Sequence, residues 1–318
     1  METSSFISNF NLLRNEEVVD KSFICSCCIV RSGQSWGGMM WWVSQHTLDL
    51  MGPKLRYLAD EVDADVVLFG ASRCHYHYVP SILADSIGLS VYNGGITASD
   101  CIYSHYFALN LILEHHTPKM ICLELMAADY AVAANSFEAA NFFAPYIGRS
   151  ERGDSVFREA GNYRAYHLCH LYRYNARALS NIAGLFINRQ QGEDSGYLPL
   201  PCPKATSLQV NLEEHHTTEG VDELKLRYLR KFIELCRSRN IALVFMVSPA
   251  YSVADADLYD PLKEVAKKYE IPFLDYHTQG LFLEHPEYFK DKIHLWDKGV
   301  RLYTSIFAHD LKQLIPLF

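Results

Sequence analysis

The sequence predicts an α/β protein, a three-layer αβα sandwich with a central parallel sheet. From residue 56 onward, short apolar runs alternate with segments of helical periodicity. Strands that alternate with helices pair in parallel, because each helix returns the chain to the same end of the sheet and covers one of its faces. The chain has 318 residues, 49% hydrophobic and 21% charged, which suits one large α/β domain.

Five runs are predicted to be buried strands, because each is short, apolar and rich in β-branched or aromatic residues. They cover 65–70, 89–95, 119–125, 241–249 and 271–276. Helices are predicted at 78–88, 99–116, 221–240, 260–270 and 298–315. The segment 221–240 is amphipathic, with apolar residues at helical spacing and charges on the opposite face. Gly88 is expected to end the first of these helices.

The predicted domain covers residues 56–318 and contains an insertion at about 129–219 that interrupts the alternation. Within the insertion, 164–186 is expected to be helical and 192–203 to be a turn-rich loop. Ligands of open α/β sheets bind at the carboxyl ends of the strands, so the insertion is a candidate lid or substrate wall. Residues 1–55 follow no recognisable periodicity and form an N-terminal segment of unclear structure.

The charge balance disfavours a nucleic-acid partner. The chain has 29 Lys and Arg against 37 Asp and Glu, a net charge of −8, and no run of basic residues. A nucleic-acid-binding surface requires a basic face. The nine cysteines are an odd number and lie mostly within apolar runs. We interpret them as reduced core thiols and not as a disulfide framework.

The N-terminal region does not match a signal peptide. Acidic residues at 16, 17 and 20 precede the apolar run 22–30. That run is shorter than the about 20 apolar residues that span a bilayer. The sequence therefore predicts a chain that is soluble as written and leaves its compartment open.

A candidate nucleophile follows the first predicted strand. The strand continues into GASRCHYHYVP, in which Gly70 allows a sharp turn and Ser72 begins a helix. This position exposes a hydroxyl beyond the sheet edge and directs backbone N–H groups toward it. A serine nucleophile requires a base within hydrogen-bonding distance and a carboxylate that orients the base. The alternative is that Ser72 only caps the helix.

The segment FKDKIHLWDKG, residues 289–299, contains both missing groups. Asp291 and His294 are three residues apart, just before the last predicted helix, so their side chains are expected to be neighbours. In a doubly wound sheet this segment lies at the same edge as Ser72. The sequence therefore predicts a Ser-His-Asp triad, although His294 alone is more often structural.

These residues resemble the motifs of the SGNH (GDSL-like) hydrolases, whose fold is a flavodoxin-like αβα sandwich. The family's Gly-Asp-Ser block is similar to Gly70-Ala71-Ser72, and its Asp-x-x-His block is similar to Asp291-Lys292-Ile293-His294. The resemblance covers roughly 63–316 outside the insertion. It implies that Ser72 attacks an ester, that His294 accepts its proton and that Asp291 orients His294.

The second block of the family, Asn-x-Gly after the second strand, is matched by Asn93 and Gly95. The resemblance implies that the N–H groups of Gly95 and Ser72 bind the oxyanion. The side chain of Asn93 either adds a further oxyanion donor or only fixes the turn, and we favour the turn.

One block departs from the family pattern. After the third strand the family has Gly-x-Asn-Asp, whose Asn side chain donates to the oxyanion, but this chain has Ala128 before Asp129. Losing one such donor costs about 10²–10³ in rate. The chain is then a slower hydrolase, an enzyme with a donor from elsewhere such as Arg73, or an acyltransferase. Its Gly-x-Ser-Arg start is closer to SGNH-like proteins of bacterial envelopes, including alginate-type O-acetyltransferases and D-alanyl transfer proteins.

Four side chains beside Ser72 have more than one interpretation. Arg73 contacts either a substrate carboxylate or the oxyanion, or it forms a structural salt bridge. Cys74, His75 and His77 suggest a metal site, but alternate residues on a helix do not converge on one ion, so pocket lining is preferred.

The predicted function is a serine esterase of SGNH type that cleaves an acyl ester, in particular acetyl, on a carbohydrate or another small alcohol. No metal or organic cofactor is required. The first alternative is an O-acyltransferase that modifies an envelope polysaccharide with the same triad, together with a membrane acyltransferase partner. The second is a catalytically silent binding protein of SGNH fold.

Overall fold

Five parallel strands form the centre of the protein. The computed structural model describes residues 32–47, 51–175, 178–186, 194–201, 220–252, 257–277 and 280–317. Within these ranges the strands are β1 (Val66–Phe69), β2 (Val91–Asn93), β3 (Met120–Glu124), β4 (Ala242–Val247) and β5 (Phe273–Asp275). Their order in the sheet is β2-β1-β3-β4-β5. The predicted strands and their parallel pairing are confirmed.

Helices connect and cover the strands. They are α1 (32–46), α2 (Gly52–Asp60), α3 (Ser72–His77), α4 (Pro80–Ile87), α5 (Ile102–Ile112), α6 (Glu151–Glu159), α7 (Tyr163–Leu168), α8 (Ala178–Ala183), α9 (Glu223–Ser238), α10 (Asp260–Lys268), α11 (Gly280–Leu283) and α12 (Asp297–Leu314). Short 3-10 helices lie at Ala127–Asp129, Ser136–Tyr146, His170–Tyr174, Pro286–Tyr288 and Ile315–Leu317. As predicted, Gly88 ends α4, in a left-handed conformation with φ 71°.

Alternate residues of each strand face two separate hydrophobic cores. In β1, Val67 and Phe69 pack in the core formed by α2, α5, α9 and α10. Their neighbours Val66 and Leu68 pack in the core formed by α4 and α12. A parallel sheet covered on both faces explains why the strands are apolar throughout instead of alternating. The predicted three-layer sandwich is confirmed.

The segment 164–186, which is predicted to be helical, is helical in separate pieces and not as one continuous helix. These pieces are α7, the 3-10 helix His170–Tyr174 and α8. Cys169 separates the first two with an extended backbone, φ −125° and ψ 95°. At this point α1 crosses so closely that a Cβ on Gly33 would lie 2.6 Å from the Cys169 Sγ. Of the predicted loop 192–203, residues 194–201 are described, and Asp194 pairs with Tyr197 in a short bridge.

The described cysteines are all free thiols, in agreement with the interpretation of reduced core residues. They are Cys74, Cys101, Cys122, Cys169 and Cys236, of which only Cys169 is not buried. Cys25, Cys27, Cys28 and Cys202 lie outside the described residues. Within the described ranges, no helix combines the length and the apolar character that a membrane span requires.

Candidate active site

Ser72 lies at the carboxyl edge of the sheet, directly beyond β1. The strand ends at Phe69, and Ser72 is the first residue of α3. The turn between them brings α3 against β3. A Cβ on Gly70 would lie only 2.6 Å from the Cβ of Cys74 and 2.7 Å from that of Glu124. Only glycine fits this close approach, which fixes where the Ser72 hydroxyl emerges.

The loop before α12 brings His294 and Asp291 to the same edge. The His294 Nε2 lies 2.9 Å from the Ser72 Oγ. Its Nδ1 lies 3.0 Å from Oδ2 and 3.1 Å from Oδ1 of Asp291. Because a carboxylate only accepts, the Nδ1 carries the proton, and in the neutral ring the Nε2 accepts from the Ser72 hydroxyl. The structure thus joins the three side chains in one hydrogen-bonded chain.

Asp291 also orders the backbone of its own loop. Its Oδ1 accepts from the N–H groups of Ile293 and His294, both at 2.9 Å. Partial burial raises the pKa of Asp291, but the hydrogen bonds from the His294 ring and the Ile293 N–H outweigh it and place the pKa below the ordinary 3.8. The carboxylate is therefore ionised wherever an imidazole can act as a base.

Asn93 fixes the turn after β2. Its side chain is fully buried, and its Nδ2 donates to the carbonyls of Cys74 at 2.7 Å and Tyr78 at 3.0 Å. Its Oδ1 accepts from the Gly95 N–H at 3.0 Å. Both side-chain donors are already bonded to α3 and its end. These contacts fit the interpretation that Asn93 fixes the turn.

Gly95 packs directly against α3. A Cβ there would overlap the His75 backbone N and lie 2.8 Å from the Cys74 backbone carbon, so a side chain does not fit. Its N–H, which the sequence suggested as an oxyanion donor, is bonded to Asn93 in this structure. An oxyanion role for Gly95 requires that bond to be exchanged.

Arg73 points into the protein and not toward the Ser72 hydroxyl. It is 3% exposed, and its Nε lies 3.3 Å from the Glu124 Oε1. The guanidinium also donates to the carbonyls of Leu125 at 3.1 Å and Ser248 at 3.3 Å. Of the two interpretations from the sequence, the salt bridge is correct. These contacts occupy the guanidinium inside the protein.

Position 128 has no side-chain donor. Ala128 lies in the 3-10 turn after β3, and its carbonyl accepts from the Lys225 Nζ at 2.9 Å. The following Asp129 is fully buried and accepts from the Met126 N–H at 2.8 Å. Burial raises the pKa of Asp129 to about 7. The turn after β3 therefore carries no side-chain amide at position 128.

The three residues of the suggested metal site have separate protein partners. The Cys74 Sγ contacts Asn93, the His75 Nδ1 lies 2.6 Å from the Lys54 Nζ, and the His77 Nδ1 lies 2.8 Å from the Ser248 Oγ. No cluster of metal-binding side chains occurs in the part of the chain that the structure describes.

Sequence reasoning missed Glu124 and Ser248. Glu124 is the last residue of β3 and is fully buried, and Ser248 directly follows β4. The available signal was a lone carboxylate in the apolar run KMICLEL, because a buried charge requires a partner.

Comparisons with known proteins give no family assignment. No family model matches the sequence, and no curated protein matches it. Among solved structures, the chain is similar to a candidate lipolytic protein of the G-D-S-L family from Desulfitobacterium hafniense DCB-2, with 11% identity, 79% of this chain and 99% of that chain covered, and a TM-score of 0.37. It is also similar to a candidate acylhydrolase from Bacteroides fragilis NCTC 9343, with 14% identity, coverage of 81% and 95%, and a TM-score of 0.35.

Proposed function

We propose that the chain is a serine esterase of SGNH type, with Ser72 as nucleophile, His294 as general base and Asp291 as the carboxylate that orients it. The single observation that carries the proposal is the hydrogen-bonded chain from the Ser72 Oγ through the His294 ring to Asp291. The order of the sequence blocks, each after the strand where the SGNH family has it, supports the assignment. The catalytic domain would be 56–318, with the insertion 129–219 beside the strand ends.

The reaction would proceed in two steps. The Ser72 Oγ attacks the ester carbonyl carbon while its proton passes to the His294 Nε2, and Asp291 stabilises the imidazolium that forms. The bond from the acyl carbon to the alcohol oxygen then breaks, and His294 returns the proton to the leaving alcohol. In the second step, water or another hydroxyl gives its proton to the His294 Nε2 and attacks the acyl carbon. The bond from the acyl carbon to the Ser72 Oγ then breaks, and His294 returns the proton to that oxygen.

The oxyanion would depend on backbone donors. We assign the first donor to the Ser72 N–H and the second to the Gly95 N–H once it leaves the Asn93 Oδ1. The side chain of Asn93 is occupied, Arg73 is paired inside the protein, and Ala128 has no donor. A missing donor costs about 10²–10³ in rate. We therefore propose a slower enzyme than a hydrolase with the full set.

The proposed substrate is an acyl ester, in particular acetyl, on a carbohydrate or another small alcohol. The second candidate function is O-acyl transfer to an envelope polysaccharide, with a membrane acyltransferase as partner. The Gly70-Ala71-Ser72-Arg73 start, which is closer to the bacterial envelope proteins of the family, favours this candidate. Both use the same three residues.

The test is acetate release from p-nitrophenyl acetate and from an acetylated oligosaccharide. We expect release by wild type and none by Ser72→Ala. The control is Ser305→Ala, because Ser305 is exposed on α12 and donates to the Arg301 carbonyl of the preceding turn. Adding an unacetylated oligosaccharide distinguishes the two functions, since a transferase then yields acetylated acceptor in place of free acetate. If the folded wild-type protein neither releases acetate nor acetylates the acceptor, the catalytic proposal is wrong.

A further inference from the structure

The residue after His294 has its own attachment to α3. The Leu295 N–H donates to the His77 Nε2 at 2.9 Å, and Leu295 is fully buried. The rings of His77 and His294 lie edge to face, with centroids 6.1 Å apart. One short helix thus contacts the loop of the proposed base through Ser72 and Tyr76 at the ring and through His77 at the adjacent backbone.

The hydrogen bonds determine the tautomer of His77. Because its Nε2 accepts from a backbone N–H, the proton of the neutral ring is on Nδ1, which donates to the Ser248 Oγ at 2.8 Å. The Ser248 hydroxyl then donates to the Glu124 Oε1 at 2.7 Å. Burial lowers the pKa of His77 well below 6.5, and the nearby His294 and Arg73 lower it further. The ring is therefore neutral and does not repel an imidazolium on His294.

Glu124 anchors the other end of this network. Its Oε1 also accepts from the Ser248 N–H at 3.0 Å and faces Arg73, while its Oε2 accepts from the Tyr78 hydroxyl. Glu124 and Ser248 are both fully buried. Glu124 is the last residue of β3, and Ser248 directly follows β4. The network therefore connects α3, the ends of these two strands and the loop of His294. Satisfied buried networks of this kind are rigid.

We propose that His77 is a positioning residue for the general base, holding the backbone at Leu295 so that the His294 ring meets Ser72. This rests on the proposed function. Asp291 alone is a weak support, because its side chain is 52% exposed and water competes for it. Asp291 fixes which nitrogen of His294 carries the proton, and His77 fixes where the ring lies.

The test compares His77→Leu with His77→Gln. Leucine fills the space but removes both hydrogen bonds, whereas glutamine keeps an acceptor for Leu295 and a donor for Ser248. With p-nitrophenyl acetate, we expect His77→Leu to lower kcat by about 10²-fold with KM near wild type, as for a misplaced catalytic group. We expect His77→Gln to keep a kcat much closer to that of wild type, because it retains both hydrogen bonds. A crystal structure of His77→Leu should show the His294 Nε2 beyond hydrogen-bonding distance of the Ser72 Oγ.

The control is His116→Leu, because His116 bonds the Ala64 carbonyl at 2.8 Å, before β1 and so at the opposite edge of the sheet. We expect wild-type kcat for it. If His77→Leu does not fold, Ser248→Ala replaces it, with a smaller loss of kcat in the same sense. The proposal is overturned if folded His77→Leu keeps wild-type kcat, or if Ser248→Ala does so when it replaces that variant. It is also overturned if kcat falls as far in His116→Leu as in His77→Leu. If wild type itself has no esterase activity, the proposed function fails, and the Ser72 to His294 distance in the variants still decides the positioning role.

Discussion

The Ser72 Oγ and the His294 Nε2 are 2.9 Å apart, although 222 residues separate them in the chain. The sheet topology explains this proximity. Ser72 follows β1, which lies inside the sheet, and α12 packs against both α3 and α4. The loop before α12 therefore ends at the carboxyl edge of β1. Everything proposed for this protein depends on that relationship.

Replacing Asp291 with asparagine should reverse the His294 tautomer. An amide Nδ2 facing the His294 Nδ1 donates to it, so the ring proton moves to Nε2 and the base can no longer accept from Ser72. We expect kcat to fall by about 10²–10⁴, with little change in KM. Steady-state kinetics with p-nitrophenyl acetate measure this. Asp297→Asn, which changes a carboxylate bonded to Tyr197 and Arg301, should retain wild-type kcat.

Removing the buried guanidinium should destabilise the fold. In Arg73→Met, Glu124 remains buried without its cation, so we expect the free energy of unfolding to fall by about 3–5 kcal/mol. Adding Glu124→Gln to Arg73→Met should restore part of this free energy. Urea denaturation of the single and the double variant measures the difference. Arg301→Met, which breaks an exposed pair with Asp297, should change stability little. A raised KM with unchanged stability would instead indicate that Arg73 contacts the substrate.

Gly95→Ala should separate β2 from α3. The new Cβ would overlap the His75 backbone N, which cannot move without the helix. We expect a loss of about 1–3 kcal/mol in the free energy of unfolding, as for other overpacked sites, together with lower esterase activity. The matched variant is Gly38→Ala, since a Cβ at that position meets nothing within 4 Å. Equal thermal stability of the two variants would refute the close-packing argument.

Asp129→Asn should remove a pH dependence of stability. Burial raises the pKa of Asp129 from 3.8 to about 7, so between these values folding takes up a proton and wild type loses stability as pH rises. The amide does not ionise. We therefore expect the difference in Tm, variant minus wild type, to increase from about pH 4 to about pH 7 and to stay constant at higher pH.

Asp65→Asn serves as the control for this prediction. The hydrogen bond with Lys119 lowers the pKa of Asp65 below 3.8. The ionised Asp65 carboxylate therefore stabilises the fold above about pH 4, and this stabilisation is lost only in acid. Its Tm difference from wild type should stay constant from about pH 5 to about pH 8. A constant difference for Asp129→Asn over the same range would contradict the assigned pKa.

Much of the fold follows from the sequence because hydrophobic periodicity reports burial directly. Runs such as 241–249 lie in a sheet covered on both faces, so their length and composition were sufficient to identify β4. The juxtaposition of Ser72 with Asp291 and His294 could be anticipated, because both blocks flank elements that must end at one edge. The interruptions in the helical segment 164–186 could not be anticipated, because they depend on how α1 crosses it.

The supports of the site were not predictable. Glu124 meets Arg73 only because β3 lies beside β1, and the sequence does not state which strands are neighbours. His77 meets Leu295, 218 residues away, through the angle of α3. Likewise, the occupied side chain of Asn93 depends on how closely α3 approaches β2. Such contacts follow from register and helix angle, which single-residue patterns do not encode.

The most direct test of the central claim is mass spectrometry of the folded protein after reaction with a fluorophosphonate probe. We expect one adduct, on the peptide that contains Ser72, and none in His294→Ala, because the hydroxyl attacks the phosphorus only when the imidazole accepts its proton. Ser305→Ala should be labelled like wild type. A folded wild-type protein that takes no label, or takes it on another serine, would contradict the account.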